Sequence, residues 1–380
     1  MANRFDFDLA IVGAGPAGSA TALAAQRAGI NRIALIDRPP AGGRLGLGES
    51  AAPPVGPLLQ RLGLEGLLDR PNSPHRHYLG NLSSWGSDAL TCEDFLFRLS
   101  GHGWHLDRLA FDQSLRQAAI EEGATPYFDH TLQTLSRTAG GWHVSLSSPA
   151  LPLPQTISAR ALVDASGRQA VVGRALGMTR KRLDGLVALA VTCPPKDPAG
   201  LAGRSFIEAV RWGWWYATLL PNGQAMVTLM SDDDLIRDQG LRTPRAFAQA
   251  WAQTRHLKDL VTAPPPGASV VTVSAASQFS PQAIGAGWLA VGDALIGFDP
   301  LTSSGIAGAL DDALAAADTL ACWFTLDPKD AIEAAKRYAH RANQSLVRYM
   351  DEHRTHYQAE QRWGDAPFWQ RRHQGIGAAA

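Results

Sequence analysis

Two glycine-rich segments at opposite ends of the chain, Gly13 to Gly18 and Gly292 to Gly305, are separated by alternating apolar stretches. Together they predict an α/β protein, with a Rossmann-like domain interleaved with a mixed antiparallel-sheet domain and followed by a C-terminal helix. Asp8–Val12 is short and apolar and reads as a buried strand. Gly13-Ala14-Gly15-Pro16-Ala17-Gly18 follows directly. Gly13 permits a tight turn, Gly15 lets the backbone approach a pyrophosphate, and Gly18 lets the next helix pack on the strand. That helix, Pro16 to about Ala28, is small and apolar, and its N-terminal N–H groups favour phosphate charge. Gly29 ends it. Arg32–Ile36 is the second strand and ends in Asp37, placed to accept from an adenosine ribose hydroxyl, with Arg38 beside it.

A GxGxxG alone is compatible with any dinucleotide. The late segment narrows the choice: Val291-Gly292-Asp293, then Phe298-Asp299-Pro300-Leu301-Thr302-Ser303-Ser304-Gly305, then an Ala-rich helix. FAD is long. Its AMP half needs one end of a sheet, and its ribityl chain and flavin need groups supplied on a later pass of the chain. The paired motifs therefore point to FAD. An unrelated strand–helix turn is the alternative, and the ordered strand, turn, helix, strand and acid argue against it.

Between the motifs the elements alternate. A Pro/Gly-rich loop, 39–48, precedes Glu49-Ser50, and a helix is expected near Pro54–Leu62. A helix from Arg108 to Glu122 puts Leu109, Leu115, Ala118 and Ala119 on one face. Residues 125–147 read as an antiparallel ribbon turning at Ala139-Gly140-Gly141, and Ala161-Leu162-Val163 returns as a strand into Asp164-Ala165-Ser166-Gly167-Arg168. Residues 186–231 alternate again, with a hairpin turn at Pro221-Asn222-Gly223. A helix is expected near Thr243–Arg255, a buried strand at Trp288–Val291, a long helix after Gly305 and a charged helix over about Lys329–His353. The expected division is a discontinuous FAD-binding domain (1–74, 104–180 and 272–325), a substrate domain (75–103 and 181–271) and a C-terminal helical tail (326–380).

Composition narrows the functional class. Lys+Arg 35 balances Asp+Glu 35, which gives no basic surface for nucleic acid or anionic lipid. The three cysteines, Cys92, Cys193 and Cys322, are dispersed and form no metal spacing, so a reducing cytoplasm is the simplest compartment. Met1 to Asp8 is polar and enters the first strand, leaving no room for a signal peptide, and no apolar run approaches transmembrane length, so stable membrane insertion is not expected.

The chain resembles the superfamily of FAD-dependent aromatic hydroxylases and tryptophan halogenases. The resemblance rests on Gly13–Gly18 with Asp37, Gly48-Glu49-Ser50, Arg108 opening its helix, Asp164–Arg168, and Gly292–Gly305 in that order. It implies a Rossmann-like FAD-binding domain of the aromatic-hydroxylase type. It further implies that Gly13, Ala14, Gly15, Ala17, Gly18, Asp37, Arg38, Arg44, Glu49, Ser50, Arg108, Asp164, Gly292, Asp293, Pro300, Gly305 and Ile306 form the cofactor site. Arg108 would pair with the pyrophosphate. Asp293 would accept from ribityl or ribose hydroxyls. The N-terminus of the helix near Gly305 would favour a reduced, anionic flavin, unless Ser303 or Ser304 simply caps it. Arg44 and Glu49 belong to the loop that would cover the flavin edge.

The reaction so implied is transfer of oxygen from a flavin hydroperoxide to an electron-rich aromatic, which makes the chain an FAD-dependent monooxygenase. NAD(P)H or externally reduced flavin would be the electron donor, the latter supplied by a flavin reductase. Trp212, Trp214 and Tyr216 are expected on one strand face as substrate walls, with Trp215 on the other. Halogenating members use a Lys after the Glu loop and a Glu in the DP turn. Here Thr302 stands in place of that Glu, and Leu64 to Trp104 contains no Lys. The Lys position falls near His75, and His75 and His77 are candidate general bases. The Gly213–Tyr216 block and the tail Arg362–Trp369 resemble a branch of halogenase-like monooxygenases that hydroxylate a tryptophan of a partner polypeptide in tryptophylquinone maturation. Hydroxylation of a small aromatic metabolite, halogenation, reduction of an isoprenoid double bond and a non-enzymatic FAD module are the alternatives.

Overall fold

The computed structural model describes residues 5–39, 50–95, 101–265, 267–325 and 327–375. Its first layer is an eight-stranded sheet. Strands Trp288–Ala290, Gln155–Asp164, Phe7–Val12, Ile33–Ile36 and Thr125–Tyr127 lie side by side and parallel. A meander, Thr131–Thr138 and Gly141–Ser147, pairs antiparallel onto Gln155–Asp164. The central strands are apolar on both faces because both are covered. Helices Pro16–Arg27, Gly305–Thr325 and Arg108–Glu121 pack on one face and the meander covers the other, while helix Pro328–Gln358 packs on Gly305–Thr325 and reaches the meander-side core through Ala342.

Small residues set the spacing in this layer. Ten of the twelve residues of Pro16–Arg27 are buried, most of them Ala, Gly, Ser or Thr. A Cβ on Gly18 would lie 1.8 Å from the Gly13 carbonyl oxygen, so helix and strand touch there with no side chain between them. In Arg108–Glu121 the buried face is Phe111, Leu115 and Ala119, whereas Leu109, expected inside, is 74 % exposed. The i, i+4, i+8 stripe starts at the aromatic residue, two positions later than the sequence reading placed it.

The second layer is a seven-stranded sheet in the order Val271–Ser274, Leu186–Cys193, Ala225–Asp232, Gly213–Leu219, Arg204–Val210, Gly80–Ser84, Thr91–Asp94. All its pairs are antiparallel except Arg204–Val210 with Gly80–Ser84. Strand Val271–Ser274 joins this sheet, although the expected division put residues from 272 with the FAD-binding part.

The C-terminal segment is no appendage. Helix Pro328–Gln358 buries Tyr338, Tyr349, His353 and Tyr357, and helix Pro367–His373 buries Phe368, Trp369 and Arg372. Tyr357, Phe368 and Trp369 fill a core shared with Trp214, Leu186 and Met230 of the second sheet, while Tyr338 packs into the core of the first. Among the described residues, no helix is long and apolar enough to cross a membrane.

Candidate active site

The glycine loop is built by contact as much as by conformation. Gly13 has φ +108°, and its Cβ would lie 2.2 Å from the Ala165 carbonyl oxygen, so only glycine fits between the first strand and the loop after Asp164. Gly15 differs: its backbone is extended before the helix, and a Cβ there would meet nothing within 4 Å. Gly305, at the start of the second long helix, has the same open space in front of it. Both glycines open on one cavity of about 460 Å³. Backbone amides at two helix starts with free space before them fit an elongated dinucleotide whose anionic groups approach peptide N–H groups. The residues fit FAD.

Beside the glycine loop, Asp37 accepts from Arg116 Nη2 at 2.8 Å, and the same guanidinium donates through Nε to the Ala14 carbonyl at 2.6 Å. Arg116 thus ties the acid at the end of the second strand to the glycine loop. Arg108 lines the cavity, and its fork faces Asp112 one helical turn on, at 3.2 Å. Asp293 lines the cavity beside Arg168, with Nε to Oδ2 at 3.3 Å. Arg168 also donates to the Ala276 and Phe298 carbonyls, pinning three segments around the cavity.

The cavity floor is the second sheet, and its register decides which side chains form it. One cross-strand row runs Val273, Ala188, Met230, Trp214, and the next runs Ala190, Thr228, Tyr216. All but Ala190 line the cavity. Trp215 points the other way and packs edge-on against Phe247, with ring centroids 5.1 Å apart. Alternation therefore holds from Trp214 to Tyr216.

A buried polar relay joins the floor to the cavity wall. Trp214 donates its indole N–H to the Tyr357 hydroxyl at 2.9 Å, and Tyr357 donates to Asp299 Oδ2 at 2.8 Å. Asp299 Oδ1 accepts from the Leu301 amide at 2.9 Å, which fixes the Asp299-Pro300 turn at the cavity wall. Burial pushes the Asp299 carboxyl up, but His353, 3.4 Å away, and the Leu301 amide outweigh it and hold the group below the ordinary carboxylate range.

A second cluster sits at the other rim. Ser50 Oγ lies 2.7 Å from the Tyr216 hydroxyl, 3.1 Å from Ser205 Oγ and 3.0 Å from His105 Nδ1. His105 is buried against Thr218, on the same strand face as Tyr216, and burial pushes its imidazole down to about 4. Unfolded, the ring takes its proton near pH 6.5. Between these values the unfolded chain binds the extra proton, so stability falls as pH drops from 6.5 towards 4. The loss is at most about 3 kcal/mol and levels off below pH 4. His105→Gln should flatten that slope, measured by urea unfolding at pH 7 and pH 4.5. An unchanged slope would place the titrating group elsewhere.

Of the residues singled out from sequence, Gly15, Ala17, Ser50, Arg108, Asp293, Pro300, Gly305, Ile306, Trp214 and Tyr216 line one cavity. Gly13 and Gly18 shape it from behind. Arg38 points to Gln169 instead. Arg44 and Glu49 lie outside the described residues. Four expectations are corrected. Asp164 does not face the cavity: one of its oxygens accepts from Ser166 N and Oγ, the other from Gly173 N, so it holds the loop in place, and burial raises its carboxyl. Trp212 sits in the hairpin turn before Gly213 and packs edge-on to Trp215, away from the floor. His75 accepts from the Asp107 amide at the start of the Arg108 helix, and burial lowers its imidazole. His77 is exposed and pairs with Asp69. Neither histidine lines the cavity.

Gly292 belongs to the frame as well: its N–H donates to the buried Asp312, and a Cβ would lie 2.8 Å from the Ala17 Cβ. Ser304 donates its hydroxyl to the Thr302 carbonyl rather than capping the helix. Reading from sequence gave Asp299 no role beyond its place in the late motif, and it missed Arg116, His105 and Tyr357. Their partners are far away in the chain, and no local pattern marks them. Ala188 and Met230 were within reach, since both sit at alternate positions of strands already assigned.

The family model for tryptophan halogenase matches residues 92–376. A putative FAD-dependent oxidoreductase, LodB, from Marinomonas mediterranea is 30 % identical over 372 residues, 97 % of each chain. Among solved structures, the myxobacterial chondrochloren halogenase CndH superposes with a TM-score of 0.86 at 21 % identity, covering 96 % of this chain and 85 % of that one. The peptidyl tryptophan dihydroxylase QhpG, essential for tryptophylquinone cofactor biogenesis, superposes with a TM-score of 0.77 at 23 % identity, covering 97 % and 78 %. At these identities the two structures establish a common fold.

Proposed function

The chain belongs to the tryptophan halogenase family of flavin-dependent oxidoreductases, and from that premise we propose that it is an FAD-dependent monooxygenase acting on an electron-rich aromatic, foremost a tryptophan side chain of a polypeptide. The observation that carries this reading is the cavity itself. The flat faces of Trp214 and Tyr216, beside the small Ala188 and the flexible Met230, form a slot continuous with the space in front of Gly15 and Gly305. The peptidyl tryptophan dihydroxylase that shares the fold supports the polypeptide assignment.

When bound and reduced, FAD supplies the activation of dioxygen. The chain's own residues do the rest. Gly15 and the Gly305 helix start offer peptide N–H groups to anionic parts of the cofactor. Trp214 and Tyr216 orient a planar ring, and aromatic pairing contributes roughly 0.5–1.5 kcal/mol beyond burial. The Trp214–Tyr357–Asp299 relay keeps wall and turn in register. Apolar Ala188, Met230, Val273 and Phe298 keep water from the reacting ring. Among the described residues, no histidine and no lysine lines the cavity. An indole carbon is nucleophilic without prior deprotonation, and the lining carboxylates are already engaged, Asp293 by Arg168 and Asp299 by Tyr357 and the Leu301 amide, which suits an indole better than a substrate that must first lose a proton. Reducing equivalents come from NAD(P)H or from reduced flavin delivered by a separate reductase.

The halide-activating pair is absent by this reading: Thr302 stands in the DP turn, and no Lys lies between Leu64 and Trp104. The test uses chemically reduced FAD, labelled dioxygen and either a Trp-bearing peptide or free indole, with chloride and bromide present. Mass spectrometry is expected to find the label on the ring and no halogen. Halogenated product would assign the chain to the halogenating members. A reduced isoprenoid double bond with no labelled aromatic would favour the double-bond reductase alternative.

A further inference from the structure

We propose that the outer edge of strand Val271–Ser274 is the docking site of the polypeptide substrate, which adds to the seven-stranded sheet as an extra β-strand and turns its target aromatic onto the cavity floor. The proposal rests on the reading that the aromatic is carried by a polypeptide.

Strand Val271–Ser274 is the last of its sheet, pairing with Leu186–Cys193 on one side and, among the described residues, with no strand on the other. The Ala275 amide donates inward to the Leu186 carbonyl at 3.0 Å. Inward and outward groups alternate along an antiparallel strand. In the same register Val273 and Val271 therefore bond inward, opposite Ala188 and Ala190, while Thr272 and Ser274 direct their backbone N–H and C=O outward. A row of outward amides and carbonyls is complementary to another extended backbone.

The two edges of this sheet are treated differently. Thr91–Asp94, at the far edge, carries two carboxylates, Glu93 and Asp94. Charges of this kind are how sheets discourage unwanted pairing. The near edge reads Val-Thr-Val-Ser, with no charge and no proline, and three of its four residues are exposed. It is also the edge at the cavity: Val273 and Ser274 line it, and Val273 is 38 % exposed. The floor row Trp214–Met230–Ala188–Val273 thus runs out to the open edge without a wall. An added strand would lie about 4.8 Å beyond Val273. Its residue opposite Val273 shares that face, and an indole there lies along Val273 and Ala188, where the small alanine leaves room towards Met230.

The test uses FAD-loaded enzyme and a synthetic extended peptide with one central tryptophan flanked by Val, Thr and Lys. Binding is read by fluorescence anisotropy and oxygen incorporation by mass spectrometry. Thr272→Pro removes an outward N–H and leaves the inward bonds intact. It is expected to weaken the peptide about tenfold while FAD affinity and turnover of free indole stay unchanged. A peptide N-methylated at the backbone positions facing the edge should weaken equally against unaltered enzyme, which removes any question of folding. Peptide oxygenation that is indifferent to both changes would overturn the docking site and leave the polypeptide reading standing. Oxygenation of free indole with no binding or oxygenation of peptide would overturn both. A dimer of the wild-type chain that Thr272→Pro dissociates would assign the edge to a second copy instead.

Discussion

Gly15→Val should abolish FAD binding without unfolding the protein. Gly15 sits in extended backbone that any residue adopts, and a Cβ there meets no protein atom within 4 Å. The fold therefore has no objection to a side chain at this position. The added isopropyl group would instead fill the space in front of the helix amides, at the head of the cavity. An affinity loss of a hundredfold or more, about 2.8 kcal/mol, is expected in a flavin-fluorescence titration, with an unchanged far-ultraviolet circular dichroism spectrum. Gly18→Val is the matching control. Its Cβ would lie 1.8 Å from the Gly13 oxygen, so that variant should lose the folded state itself. Near-equal FAD affinity in Gly15→Val and wild type would remove the glycine loop from the cofactor site.

Asp232→Ala should be the most destabilising single change outside the glycine loop. Asp232 ends a strand of the second sheet, is buried, and accepts from Arg372 at 2.8 Å and from Arg371 at 2.9 Å. Arg372 is also buried; its guanidinium lies over the Phe368 ring at 3.5 Å and over Tyr357 at 5.2 Å. Asp232 holds that guanidinium far above the range in which it could lose its proton, although burial works the other way. Truncating the carboxylate leaves a buried cation unpaired, which costs about 3–5 kcal/mol. Urea unfolding should report that loss. The effect should extend to function, because Tyr357 touches both Arg372 and the Trp214 relay. A loss below about 1 kcal/mol would mean that water reaches the pair.

These two variants mark different levels of legibility. The glycine loop was readable because a short motif with fixed offsets carries its own mechanism. Strand, turn, helix and terminal acid follow one another within Phe7 to Asp37, and the structure returns them within a residue or two. The Asp232–Arg372 pair is separated by 140 positions, and no periodicity or motif links its members.

His75, His77 and Trp212 show where local reasoning fails. Each is the right residue type near the right segment, yet strand register and turn geometry send the side chain elsewhere. Trp212 was assigned to the floor by extending alternation two residues too far, across the hairpin turn at Arg211-Trp212. His75 and His77 were placed by sequence offset from a loop, and offsets do not survive in segments whose backbone is set by packing. Leu109 was misplaced because one apolar residue at a helix start satisfies two helical phases, and Phe111 chose the other.

The sequence by itself determined the order of the elements, the glycine loop and its turn, the terminal acid Asp37, the wall pair Trp214 and Tyr216, and the family to which the chain belongs. Those features depend on periodicity and on motifs a few residues long, whose physics is local. Tertiary structure alone decided that the C-terminal helices buttress the cavity, that Asp164 braces a loop, that His105 is buried against Ser50 and Thr218 at the rim, and that the floor runs out to an unguarded sheet edge. Each of these depends on which distant segments meet. That is settled by the summed burial of apolar faces and the pairing of buried charges, and no local pattern in the chain records it.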